Sequence, residues 1–120
     1  MKYSDTHEWI KVEDDVGIVG ITNHAQKELG NIVYVELPAV GKQIKIGEEV
    51  AVLESTKAAA DIYSPVSGEI IEINQTLHDF SDKINHTPES EGWLYKVRLH
   101  KPSELDNLLN LQEYLNILGQ

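Results

Sequence analysis

Leu53-Glu54-Ser55-Thr56-Lys57-Ala58-Ala59-Ala60-Asp61-Ile62 sets one lysine among small residues, between two runs that read as strands. Glu49–Thr56 and Ala59–Ser64 are those runs, and they predict a hairpin around 50–64 with Lys57 at or beside its turn. The alanines after the lysine add no bulk, so another protein's active site has room to close over it. By pattern alone, such a lysine is most often an ordinary solvated surface residue. The rest of the chain has to decide between that reading and a modified lysine.

Working outward, Gly41 and Gly47 bracket Gln43–Ile46, and Pro65 and Gly68 mark a turn before Glu69–Ile73. Gly47 and Gly68 stand at similar removes from Lys57, each beside a glutamate and a strand. Two similar halves would meet at Lys57 on a protruding hairpin. Short strands with regular Gly and Pro punctuation predict a compact β barrel or sandwich. The βαβ spacing of a nucleotide-binding Rossmann unit is missing.

Upstream, Trp9–Glu13 and Val16–Ile21 read as paired strands around Asp14-Asp15, a tight turn without its favoured glycine. Thr22 is placed to cap a short helix over 23–29, with Ala25 and Leu29 facing inward and Gly30 ending it in a left-handed conformation. Ile32–Leu37 then forms a strand stopped by Pro38. Downstream, residues 74–92 are polar and irregular, held to the core by Leu77, Phe80 and Ile84. A last strand spans 93–99, with Trp93, Tyr95, Val97 and Leu99 available for packing. In the helical C-terminus, 103–119, Ser103 is the expected N-cap with Asp106 at N3, and Leu105, Leu108 and Leu109 make a stripe. Asn110 with Glu113 can cap a second helix carrying Leu111, Tyr114, Leu115 and Leu118. One helix or two fit this stretch, and either covers an apolar sheet face.

Composition narrows the chemistry. The 120 residues suit a single domain over 1–120, with 41% hydrophobic and 25% charged residues. There is no cysteine, which excludes disulfides, thiolate nucleophiles and Cys-based zinc sites. Any redox sulfur must come from a cofactor. A formal charge of −10 with no basic stripe speaks against nucleic acid as a partner. It fits simple solubility as well as a small acidic shuttle drawn to basic patches on larger enzymes, since charge by itself names no partner. The expectation is a monomer away from membranes: no apolar run reaches spanning length, and the N-terminus lacks a leader-like stretch. The histidines, His7, His24, His78, His86 and His100, show no ligand spacing, so no metal is expected. His7 reads as structural.

The segment from Glu54 to Gly68, Glu-Ser-Thr-Lys-Ala-Ala-Ala-Asp-Ile-Tyr-Ser-Pro-Val-Ser-Gly, closely resembles the lipoylation motif of glycine cleavage system H proteins. The likeness runs in order along nearly the whole chain. It includes His7-Glu8-Trp9, Val19-Gly20-Ile21-Thr22, Ala25-Gln26, Leu29-Gly30, Val35-Glu36-Leu37-Pro38, Gly41, Gly47-Glu48, Ala51-Val52, Glu91-Gly92-Trp93-Leu94 and Glu104-Leu105. Departures from the pattern are Asn23-His24, in place of an acidic and an aromatic residue, Thr56 for valine, and Pro88-Glu89-Ser90 for an aromatic-glycine pair.

The resemblance implies a mainly β barrel-sandwich hybrid of the lipoyl/biotinyl-carrier type, with one short helix in the N-terminal half and a helical C-terminus. It implies lipoate joined covalently to Lys57, with Glu54, Ser55, Thr56, Ala58 and Gly68 shaping the hairpin or its recognition by lipoate-attaching enzymes. The implied role is that of a non-catalytic carrier in glycine catabolism and one-carbon metabolism. It would accept the aminomethyl group from the pyridoxal-phosphate glycine decarboxylase (P protein) and present it to the tetrahydrofolate-dependent aminomethyltransferase (T protein). Dihydrolipoyl dehydrogenase (L protein) would then reoxidise it. A groove lined by the 23–37 segment and the loop before Trp93 would shelter the loaded arm. The compartment would be bacterial cytoplasm, or an organellar matrix for a processed protein.

The alternative is an H-like carrier that relays lipoate to 2-oxoacid dehydrogenase complexes or serves another pathway. Lipoyl domains of those complexes usually carry an acidic residue where Thr56 stands. Biotin carriers usually flank the lysine with methionines, where this chain has Thr56 and Ala58. A third reading is an unmodified binding module that kept the fold.

Overall fold

The computed structural model describes residues 1–120. Nine strands form two antiparallel sheets. The six-stranded sheet runs in the order β1 (Lys2–Tyr3), β2 (Glu8–Glu13), β3 (Val16–Ile21), β9 (Tyr95–Leu99), β8 (Gly68–Ile73) and β5 (Gln43–Ile44). The three-stranded sheet is β4 (Ile32–Glu36), β6 (Glu49–Ser55) and β7 (Ala59–Tyr63). Between them lie α1 (Asn23–Leu29), a 3-10 turn at Gln75–His78, α2 (Lys83–His86), a 3-10 segment at Pro102–Asn107 and α3 (Leu111–Ile117). The architecture is the mainly β barrel-sandwich that the sequence predicts.

Period-two alternation explains the two layers. In β9, Tyr95, Val97 and Leu99 are buried while Lys96 and Arg98 are not. They join Ile10, Val19 and Ile70 of the same sheet against Ile32, Val35, Leu53 and Ile62 of the other, in a core cluster of 18 buried residues. Full burial of each such aliphatic side chain stabilises by about 1.5–3 kcal/mol. Trp9 alternates with Ile10 and points to the opposite face of the six-stranded sheet. There it joins Tyr3 and Tyr114 in a smaller cluster, with Trp93, Leu109 and Leu118 around them. The C-terminal segment therefore covers the second apolar face of this sheet.

The local signals at the first hairpin and at α1 work as expected. Asp14 takes a φ of 56° and supplies the turn in place of glycine. The Thr22 side chain accepts a hydrogen bond from the Ala25 amide and caps α1. Asn110 and Glu113 form a full capping box, which makes α3 a helix separate from the 3-10 segment before it.

Five expectations need correction. Gly30 has a positive φ, 84°, but its ψ of −160° lies outside the left-handed helical region, because its carbonyl turns to accept from Asn85 Nδ2 at 2.8 Å. Phe80 is 57% exposed, since Leu77 and Ile84 take the inward positions of that excursion. The Phe80 ring faces solvent and the Lys83 ammonium instead. Ser103 does not cap: Lys101 holds the N-cap position and Pro102, which has no N–H to lose, opens the segment. Leu111 is 53% exposed, because Tyr114 fills the space under α3. Gly47 and Gly68 are not equivalent halves of a repeat. Gly47 sits in an open turn with φ 82°, whereas a Cβ on Gly68 would lie 2.1 Å from the Arg98 carbonyl oxygen in the neighbouring strand.

Candidate functional site

β6 and β7 pair from Glu49↔Tyr63 to Glu54↔Ala59, leaving Thr56, Lys57 and Ala58 as the turn. Ser55 organises it. Its hydroxyl accepts from the Lys57 amide at 3.1 Å and the Ala58 amide at 3.0 Å, and donates to the Ala58 carbonyl. The Ser55 amide also donates to the Ala58 carbonyl, and the Thr56 amide donates to the Asn31 carbonyl at 3.0 Å. These bonds tie the turn to the chain entering β4. A serine at this place satisfies turn amides that have no strand partner.

Thr56, Lys57, Ala58 and Ala59 are all exposed. No carboxylate lies within ion-pair distance of the Lys57 ammonium. Its stem passes over Gly30, where an added Cβ would come within 2.9 Å of Lys57 Cε. Asn85 holds this neighbour in place: its amide donates to the Gly30 carbonyl and to Gln26, and its oxygen accepts from the Ile32 amide at 2.9 Å. Glu54 is exposed on the outer face of the small sheet, in a row with Tyr34 and Ala59. Gly68 lies outside the hairpin, buried in β8, where close approach of β9 leaves no room for a side chain. The five residues Glu54, Ser55, Thr56, Lys57 and Ala58 are thus together, and Gly68 is elsewhere.

A groove of about 350 Å³ opens beside the hairpin, between β7 and α1. Ala25, Leu29, Ile21 and Ile62 form its apolar floor, with Asp61, Glu28, His7 and His24 among its polar lining. The helix of the 23–37 segment lines it as expected, but the loop before Trp93 does not. That loop lies behind α1, where the Glu89 carboxylate accepts from the Asn23 amide at 2.9 Å and Asn85 clamps Gly30.

Two polar clusters escape a linear reading. Glu8 is 2% exposed, and its carboxylate accepts from the hydroxyls of Ser4, at 2.6 Å, and Thr6. Burial raises its pKa, against the pull of those bonds and of the Tyr63 backbone. It borders a cavity of about 430 Å³ with Tyr3, Tyr63, Pro65 and Leu108. The Tyr114 hydroxyl lies 2.8 Å from His7 Nδ1 and 2.7 Å from Thr22 Oγ1. Asn85 carried only its polarity as a signal, and Glu8 only its place in the His7-Glu8-Trp9 stretch of the resemblance. Their partners are distant in sequence or, for Ser4 and Thr6, in an unpatterned stretch. No group of three His, Cys, Asp or Glu side chains comes together to hold a metal.

The tip fits a covalent acyl group. It offers a primary amine without a charge partner, small exposed neighbours, and an apolar groove close by for a tail. A barrel-sandwich that presents one such lysine on the turn of a two-stranded hairpin defines the lipoyl- and biotinyl-carrier class of domains. Within that class the chain matches, over residues 1–120, the family model described as Glycine cleavage H-protein. It is 52% identical over 119 residues to the glycine cleavage system H protein of Thermotoga maritima, covering 99% of this chain and 96% of that one. It is 54% identical over 114 residues to the H protein of Alcanivorax borkumensis, covering 95% and 89%. The crystal structure of an H protein from Mycobacterium marinum superposes with a TM-score of 0.92 at 36% identity, covering 99% of this chain and 96% of that one. The chain belongs to the glycine cleavage H-protein family, a family of lipoyl carriers.

Proposed function

We propose that Lys57 carries lipoate through an amide bond and that the chain shuttles between the enzymes of glycine cleavage. It takes the aminomethyl group from the pyridoxal-phosphate glycine decarboxylase, delivers it to the tetrahydrofolate-dependent aminomethyltransferase, and is reoxidised by dihydrolipoyl dehydrogenase. Lipoate supplies a disulfide that opens on accepting the group, chemistry that a chain without cysteine cannot supply itself. The chain performs no catalysis of its own. Its residues attach, present and shelter.

One observation carries this reading: Lys57 is the exposed, unpaired amine at the tip of a hairpin whose backbone is fixed by Ser55 and Asn31. Acylation removes a charge that no neighbour needs. A fixed backbone under a free side chain gives the arm reach with a defined origin, and tethering raises its local concentration at each docked enzyme. The groove between β7 and α1 lies within a few residues of the attachment point and shelters the arm between visits. The exposed Glu54 beside the turn gives the attaching enzyme a charge to read. The bacterial relatives support a cytoplasmic location, and no helix is long and apolar enough to cross a membrane.

The test is intact mass of protein from a lipoylating host, followed by reconstituted glycine–bicarbonate exchange. One lipoyl group per chain and exchange that requires it are expected. A chain bare at Lys57 yet fully active would end the assignment.

A further inference from the structure

The polar excursion over 74–92 contains two asparagines that bond in different directions. Asn74 closes the excursion on itself: its amide donates to the Glu91 and Trp93 carbonyls at 2.9 and 2.8 Å. Asn85 reaches out of it. Its nitrogen donates to the Gly30 carbonyl at 2.8 Å and to Gln26 Oε1 at 3.1 Å, and its oxygen accepts from the Ile32 amide at 2.9 Å. The Ser81 hydroxyl donates to the Ile32 carbonyl at 3.0 Å. Side chains of the excursion thus hold the backbone on both sides of Asn31. The Asn31 carbonyl in turn accepts from the Thr56 amide in the lysine turn.

We propose that Asn85, assisted by Ser81, is a positioning residue for the acylation of Lys57. The inference rests on Lys57 being the lipoylated amine. Asn85 acts through two neighbours: Gly30 lies under the Lys57 stem, and Asn31 holds the Thr56 amide. Packing fixes Ile32 but not the two residues before it. No side chain of α1 is buried, Gly30 has none, and Asn31 is exposed. Asn85 is well placed to fix them, because it follows Ile84, which is fully buried. The seat calls for an amide side chain, which donates to a carbonyl and accepts from an N–H at once.

In the step concerned, the Lys57 amine attacks the carbonyl of a lipoyl adenylate. The amide C–N bond forms, the acyl C–O bond breaks, AMP leaves with its electron pair, and the amine gives up a proton. Misplacing a reacting group by about 1 Å costs on the order of 100-fold in rate. The test uses the full chain made without lipoate, with a lipoate–protein ligase, lipoate and ATP. Intact mass reads the acylated fraction.

Asn85→Ala should lower kcat about tenfold or more with KM within about twofold, because the exposed face around the turn is unaltered while the amine is misplaced. Acetylation of Lys57 by N-hydroxysuccinimidyl acetate, which needs no fixed approach, should stay within about twofold of the parent. Asn74→Ala breaks two hydrogen bonds of the same kind in the same excursion. It should lower the unfolding temperature and leave kcat unchanged. The Thr56 amide should exchange with solvent about tenfold faster in Asn85→Ala, and at the parent rate in Asn74→Ala. A parental kcat in Asn85→Ala overturns the inference, and so does an equal slowing in Asn74→Ala. If Asn85→Ala fails to fold, Ser81→Ala decides. It loses one hydrogen bond and should lower kcat about threefold, and a parental value overturns the inference. A parent chain that takes no lipoate at Lys57 sinks the carrier assignment. An acylated parent beside an equally fast Asn85→Ala sinks only the positioning role.

Discussion

The hairpin tip and the seam around Tyr114 use polar groups in opposite ways. At the seam, distant parts of the chain lock together. The Tyr3 and Tyr114 rings stack with centroids 4.8 Å apart, His7 and Thr22 share the Tyr114 hydroxyl, and the Trp9 indole donates to the Pro88 carbonyl at 2.9 Å. At the tip, every hydrogen bond goes to the backbone and the Lys57 side chain is left free above Gly30. The seam spends its side chains on rigidity, while the tip uses a rigid backbone to present one side chain. Chemistry can therefore be lost at the tip without loss of fold, and the reverse holds at the seam.

Five changes test that contrast, taken from the largest effect down. Lys57→Arg should abolish acylation and exchange completely, with unfolding free energy within about 0.5 kcal/mol of the parent; a large loss of stability would show that the tip is structural after all. Tyr114→Ala should cost about 3–5 kcal/mol in denaturant unfolding. Tyr114→Phe removes only the hydroxyl shared by His7 and Thr22 and should cost about 1–2 kcal/mol. A neutral Tyr114→Ala would dissolve the distinction between the regions.

Gly30→Ala joins the two regimes, since Gly30 ends α1 and lies under the Lys57 stem. It should cost about 1–3 kcal/mol through its positive φ and slow acylation by displacing the lysine. Acylation at the parent rate would show that the stem does not need this surface. The smallest effect concerns pH. The folded pKa of Glu8 is raised above its ordinary value, so the folded chain holds that proton more tightly. Its contribution to stability is present in acid, below the ordinary carboxylate value, and is lost as pH rises through the raised folded value. Glu8→Gln should flatten that part of the stability profile relative to the parent. Parallel profiles from denaturant titrations would refute it.

Much of the fold was legible because its signals are local. Thr22 and Asn110-Glu113 cap helices three residues away. Strand alternation at Tyr95, Val97 and Leu99 reads directly as a buried face. Where neighbours in space competed, local signals misled. Phe80 reads as core, but Leu77 and Ile84 already fill the inward positions. Ser103 reads as a cap, but Pro102 opens the segment one residue earlier. Gly68 reads as part of the lysine motif, yet its surroundings are the Arg98 backbone. At the site, Lys57 and Ser55 were visible in the motif. Asn85 was not, because the three groups that it bonds belong to Gln26 of α1, to Gly30 that ends α1, and to Ile32 at the start of β4.

The sequence by itself determined the two strand periodicities, the position of the turn and the single lysine on it, since each depends on residues a few places apart. Only the tertiary structure decided what surrounds that lysine. The groove needs α1 laid beside β7, and the pairing of His7 with Tyr114 joins residues 107 positions apart. Such contacts follow from how two sheets and a C-terminal helix bury their apolar faces together, a global balance that no local stretch encodes.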